Sequence, residues 1–160
     1  MLETSLCYLE KDGCYLMLLR NKKKNDINEG KWIGVGGKLE GRESPEECAR
    51  REIREETGLI ATEIRLRSVI TFLTDEGEDE RMYLFTSSAF EGNIRECDEG
   101  ELAWIPVEKV AELPSWEGDR IFLEKIRRPE QGYFSLTLDY HGDVLQHAVL
   151  WEDGRETILK

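Results

Sequence analysis

GVGGKLEGRESPEECARREIREETGL, running from Gly34 to Leu59, decides how the rest of the chain must be arranged. Ser44-Pro45-Glu46-Glu47 is a helix start: Ser44 is the N-cap, Pro45 takes the first helical position and Glu47 is placed to close a capping box. Good helix formers fill the following positions, and Gly58 supplies a left-handed stop. The spacing predicts a helix over 45–57. On it Glu52, Glu55 and Glu56 stand three and four residues apart and share one face. Ala49 and Ile53 lie on a neighbouring face suited to packing on a sheet.

Three like charges on one helix face repel, and a hard divalent cation would remove that cost because such ions prefer carboxylate oxygens. Arg51 can reach Glu55 one turn on, and Glu43 once the preceding loop folds back, which would leave Glu52 and Glu56 aimed at a metal and restrain them from behind. Gly34, Gly36 and Gly37 form a glycine loop that lets the backbone approach a ligand or adopt positive φ. Lys38 follows as a phosphate contact. Glu/Arg-rich helices are usually solvated surfaces. The glycine loop and capping box beside this one favour a place for Mg2+ and a polyphosphate instead.

The chain of 160 residues fits a single domain spanning 1–160 with a real core. Its net charge of -12 argues against binding polymeric nucleic acid, where phosphate neutralisation dominates affinity. A small polyphosphate remains open to it if metal ions bridge the two negative partners. Cys7, Cys14, Cys48 and Cys97 show neither C-x-x-C pairing nor zinc spacing, and read as reduced, mostly buried thiols. No basic-then-apolar leader and no long apolar run is visible, so a cytoplasmic protein with no membrane partner is expected.

Leu2 to Leu9 and Cys14 to Arg20 read as a hairpin around Lys11-Asp12-Gly13, with the second strand buried on both faces. Arg20, at its end, would face the metal and phosphate region. Asn21 to Lys31 is a polar loop. Ala61 to Leu73 and Arg81 to Phe90 read as antiparallel strands joined by an acidic turn, Asp75 to Glu80. Leu102 to Pro106 is a short strand, Val107 to Leu113 a short helix, Trp116 to Arg127 a helix ended by Pro129, and Tyr133 to Trp151 a hairpin. This order is mixed α/β with segregated helices.

Gly37, Glu43, Arg51, Glu52, Ile53, Glu55, Glu56, Gly58 and Leu59 fill every position of G-x5-E-x7-R-E-U-x-E-E-x-G-U, where U is a bulky aliphatic. The chain thereby resembles the Nudix (MutT-like) hydrolases, which cleave nucleoside diphosphates linked to another group. The resemblance implies a mixed β-sheet sandwiched between α-helices. It also implies a site for Mg2+, or Mn2+, built from Glu52, Glu55, Glu56 and the Gly36 carbonyl. Glu52 and an acid outside the motif are the general-base candidates.

Lys31-Trp32 before the glycine run is similar to the subgroup that hydrolyses oxidised purine nucleoside triphosphates such as 8-oxo-dGTP. In that subgroup a Glu shortly before a Trp joins the metal site. Glu99 before Trp104 matches, with Glu96, Asp98 and Glu101 as competitors. The subgroup's Trp followed by Asp in the base pocket is matched by Trp116 and Asp119, an indole for stacking and a carboxyl for the Watson–Crick edge. Mammalian-type members carry Asn directly after the Trp of the first stretch. Here Ile33 stands there and can neither donate nor accept, so the base must be read differently. The implied activity is Mg2+-dependent conversion of 8-oxo-dGTP to 8-oxo-dGMP and pyrophosphate, with Glu52, Glu56 and Glu99 as catalytic carboxyls, in a monomer or homodimer. The rivals are another nucleoside diphosphate derivative as substrate (ADP-ribose, a dinucleoside polyphosphate, a pterin triphosphate) or a non-catalytic nucleotide-binding module.

Overall fold

The capping box written into Ser44 and Glu47 is formed in full. Glu47 N–H donates to Ser44 Oγ at 3.0 Å, and Ser44 N–H donates back to Glu47 Oε1 at 2.9 Å. The helix it opens, α1, runs Pro45–Thr57 and stops at Gly58, whose φ of 82° is the left-handed region glycine enters without a Cβ clash. The computed structural model describes residues 1–160.

α1 lies against strands, and β1 (Leu2–Lys11) explains why. It runs parallel to β6 (Glu80–Glu91) and antiparallel to β4 (Val35–Lys38). Alternate side chains of β1 enter two separate cores. Cys7 and Leu9 pack with Ala49 and Ile53 of α1, whereas Leu6 and Tyr8 pack with Phe122, Leu123 and Ile126 of α2 (Asp119–Ile126). The two helices therefore cover opposite faces, giving an α/β/α sandwich, the mixed architecture expected.

Hairpin turns set the rest. Asp12 and Gly13, both at positive φ, turn β1 into β2 (Cys14–Leu19), which is fully buried over its middle four residues. β2 pairs with β3 (Trp32–Ile33) and with β7 (Glu101–Pro106). β5 (Ile60–Thr74) pairs antiparallel with β6 and parallel with β8 (Phe134–His141). β9 (Val144–Glu152) and β10 (Arg155–Ile158) complete the order β10-β9-β8-β5-β6-β1-β2-β3. All four cysteines are free thiols. No helix is long and apolar enough to cross a membrane.

Four elements differ from the sequence reading. The glycine run is not a loop: Val35–Lys38 is a strand on β1, and none of Gly34, Gly36 or Gly37 has positive φ. Its glycines serve close packing, since a Cβ at Gly36 would lie 1.9 Å from the Ser5 carbonyl oxygen. The second helix starts at Asp119 rather than Trp116, because Gly118 N–H is drawn out to the Tyr140 hydroxyl at 2.7 Å. β10, exposed throughout, has no apolar alternation to announce it. The expected 107–113 helix is a 3-10 segment over Val107–Glu112.

Candidate active site

Arg51 organises the outer end of α1. Its guanidinium grips Glu43 with two bonds, Nη2 to Oε1 at 2.7 Å and Nε to Oε2 at 3.0 Å, and so holds that carboxyl well below the usual range. It also donates to Glu55 Oε2 at 3.1 Å, to the Lys38 carbonyl at 3.0 Å and to Glu52 Oε1 at 2.7 Å. The first two side-chain partners were expected. The third was not, and it leaves Glu52 with one oxygen held and one free. Glu55 points outward with 59% of its side chain exposed, so the expected trio is split.

Glu56 lies deeper. It is buried, and the Gly36 N–H donates to its Oε2 at 3.2 Å. Burial, then the neighbouring Glu99 and Glu52 carboxyls, push its pKa up to about 10, with Arg20 opposing. Glu52 is raised mainly by burial, against the pull of Arg51. Glu99 receives a bond from Arg20 Nη1 at 2.9 Å. Of the four acids considered in that segment, Glu99 alone lines the groove. Three carboxyls converging on one partly buried place, with Arg51 on Glu52 and Arg20 on Glu99, fit a divalent cation in donor type and in charge. No three acidic, His or Cys side chains are already drawn into coordination geometry. Gly37 belongs to the same arrangement: a Cβ there would meet the Glu52 carboxyl at 2.6 Å.

From Glu52 and Glu99 a groove of about 720 Å3 runs past Gly36, Gly37, Lys38 and Ile33 to Trp116, Asp119 and Tyr140. Trp116 is held on several sides. Its Nε1 donates to Asn28 Oδ1 at 2.8 Å, Lys31 Nζ sits 4.4 Å from the ring centroid, and the Tyr140 ring meets it edge-on at 5.4 Å. An unbroken hydrogen-bond chain joins the two ends. Arg20, which donates to Glu99, donates from Nε to Asp26 Oδ2 at 2.6 Å; Asn28 N–H donates to Asp26 Oδ1 at 3.1 Å; Asn28 then accepts from Trp116. The polar loop 21–31 is thus the brace between them. Asp26, Asn28 and Tyr140 were not legible as site residues, because short polar loop residues and a strand tyrosine carry no signal of their own.

Asp119 is buried and accepts no hydrogen bond from the chain. Burial raises its pKa to about 7, aided by the Glu80 charge and opposed by Lys31. An unfolded Asp titrates at about 3.9, so this raised group contributes most stability below that value and loses it as pH rises through about 7. Asp119→Asn is therefore expected to gain stability relative to wild type between pH 5 and pH 8, by on the order of 2 kcal/mol. Thermal melts at both pH values check it; a difference independent of pH would mean that Asp119 is not held protonated.

A family model described as NUDIX domain matches residues 4–126, leaving β8 to β10 beyond it. An uncharacterized Nudix hydrolase of Bacillus subtilis, YvcI, is 30% identical over 84% of this chain and 86% of its own length. The oxidized purine nucleoside triphosphate hydrolase of Danio rerio is 29% identical over 82% of this chain and 85% of its own. Among solved structures, a mutator MutT protein from Bacillus halodurans superposes with a TM-score of 0.83 at 26% identity, covering 94% of this chain and 97% of that one. With the motif complete on α1, the sandwich fold shared and the family model spanning most of the sequence, this chain belongs to the Nudix hydrolases.

Proposed function

We propose that the chain hydrolyses purine nucleoside triphosphates with a divalent cation, preferring oxidised purines: 8-oxo-dGTP to 8-oxo-dGMP and pyrophosphate. The observation that carries this reading is the continuity of one groove from the acidic end of α1 to the Trp116–Asp119 pocket. Its volume suits a whole nucleoside triphosphate. The name of the Danio rerio relative supports the substrate class, and the net charge of -12 favours a small nucleotide over a nucleic acid polymer.

Glu52, Glu56, Glu99 and the Gly36 carbonyl would hold Mg2+, or Mn2+ in its place, with Glu55 at the outer edge; the ion supplies charge neutralisation at the phosphates and acidifies the attacking water. Glu52 and Glu99 each have one oxygen fixed by an arginine and one oxygen free of chain donors. Either free oxygen can take the proton of the water, and the arginines hold both carboxyls in place. Arg20 and Lys38 place positive charge along the phosphate track. Trp116 stacks on the base, Ile33 walls it and Asp119 reads its edge.

The test is kcat/KM for 8-oxo-dGTP and dGTP side by side, in Mg2+ and in EDTA, with products identified. The expected result is a preference of at least about tenfold for the oxidised base, monophosphate plus pyrophosphate as products, and no turnover in EDTA. Slow turnover without preference would move the substrate to another nucleoside diphosphate derivative. No cation-dependent turnover of any would overturn the enzymatic reading.

A further inference from the structure

Besides the exposed Glu76 and Glu78, the groove is lined away from the α1 acids by two carboxyls drawn out of solvent, Asp119 being the first. The second is Glu80, which the sequence reading placed in the acidic turn after Asp75. It is instead the first residue of β6, beside Leu2 of β1 and Phe72 of β5, and partly buried. Thr4 Oγ1 donates to Glu80 Oε2 at 2.6 Å. That bond fixes one oxygen, and Oε1 takes no donor from the chain. Glu80 and Asp119 line the same groove, close enough for the Glu80 charge to act on Asp119. Asp119 is 6% exposed and likewise has no partner. Both residues line the groove, and the carboxyl oxygens without chain donors are open to the N–H donors of a base.

We propose that Glu80 is a specificity-determining residue, a second base-reading carboxyl that selects purines presenting N–H donors on two edges; this rests on the purine nucleotide reading above. Guanine offers donors at N1 and N2 on one edge, while its N7 on the other edge accepts. Oxidation at C8 turns N7 into an N–H donor. A pocket with one carboxyl can satisfy the first edge of either base. A pocket with two satisfies both edges of the oxidised base only, and sets a carboxylate against the N7 lone pair of the ordinary one. Ile33, apolar and lining the same groove, supplies no polar contact of its own.

Glu80→Gln separates this role from a structural one. The amide oxygen still accepts from Thr4, so the link between β1 and β6 survives, and the other arm becomes a donor that suits the N7 of unoxidised guanine. The measurement is the dissociation constant of 8-oxo-dGMP and of dGMP, read by tryptophan fluorescence, which needs neither cation nor turnover. Wild type is expected to favour 8-oxo-dGMP. Glu80→Gln, with an unchanged melting temperature, is expected to lose tenfold to a hundredfold of that ratio, by weaker 8-oxo-dGMP binding with dGMP binding unchanged or tighter. A variant that folds and keeps the wild-type ratio overturns the role of Glu80 and leaves the purine reading standing. Wild type that binds neither monophosphate overturns both.

Discussion

Glu56→Gln is expected to leave the fold intact and to cut cation-dependent turnover by about a thousandfold, the effect of removing one electrostatic contact to a charged transition state, about 4 kcal/mol. The fold should tolerate the change because burial and two neighbouring carboxyls already keep Glu56 protonated when no cation is present. A neutral isostere therefore keeps the shape and can still accept from the Gly36 N–H. Lost is the anionic ligand that a cation would restore. Two measurements separate these effects. In EDTA the melting temperature of the variant should equal or exceed that of wild type; on adding Mg2+ the wild type should gain stability and the variant should not. Glu52→Gln should lower turnover comparably. Near-normal kcat in either variant would remove α1 as the cation-binding element.

Gly36→Ala carries the largest expected cost in stability. The added Cβ would sit 1.9 Å from the Ser5 carbonyl oxygen and 2.9 Å from the Leu6 Cα, both backbone atoms that cannot swing away. β4 would have to leave β1, at a cost of about 3 kcal/mol or more, a fall of roughly 10 °C in melting temperature for a chain of this size. The same displacement pulls the Gly36 amide from Glu56, so activity should fall further than stability alone accounts for. Gly132→Ala is the comparison, because nothing lies within 4 Å of a Cβ there and its φ is not positive. It should be neutral within about 0.5 kcal/mol. Equal melting temperatures for the two variants would show that the β1–β4 contact has slack.

What could be read from the chain beforehand follows from how local each signal is. The capping box, the helix and its glycine stop depend on residues within one turn of each other, and all three stand where the spacing put them. Hairpins with Asp-Gly at the turn are equally local. The glycine run misled because small residues in sequence look like a loop, whereas their cause lies thirty residues away in the backbone of Ser5 and Leu6. Glu80 was hidden for a related reason: five neighbouring acidic or glycine residues mask the one that turns inward to Thr4. Arg51 and Glu43 were legible from helix spacing, but the bond from Arg51 to adjacent Glu52 is a rotamer choice that spacing does not dictate. Tyr140 sits past the family model's span and enters the groove only because β8 lies parallel to β5.

The bonded path from Glu99 through Arg20, Asp26 and Asn28 to Trp116 also bears on engineering this scaffold. Both ends of the path leave the loop, Arg20 for Glu99 and Asn28 for Trp116, so residues 20–31 are not an interchangeable module. A graft of that loop into a relative, or of a relative's loop into this chain, would strand a buried arginine or an indole N–H unless positions 99 and 116 travelled with it. Library design on this protein should therefore vary the five residues jointly and score them as one unit, since single changes along the path will look uniformly bad and conceal compatible sets.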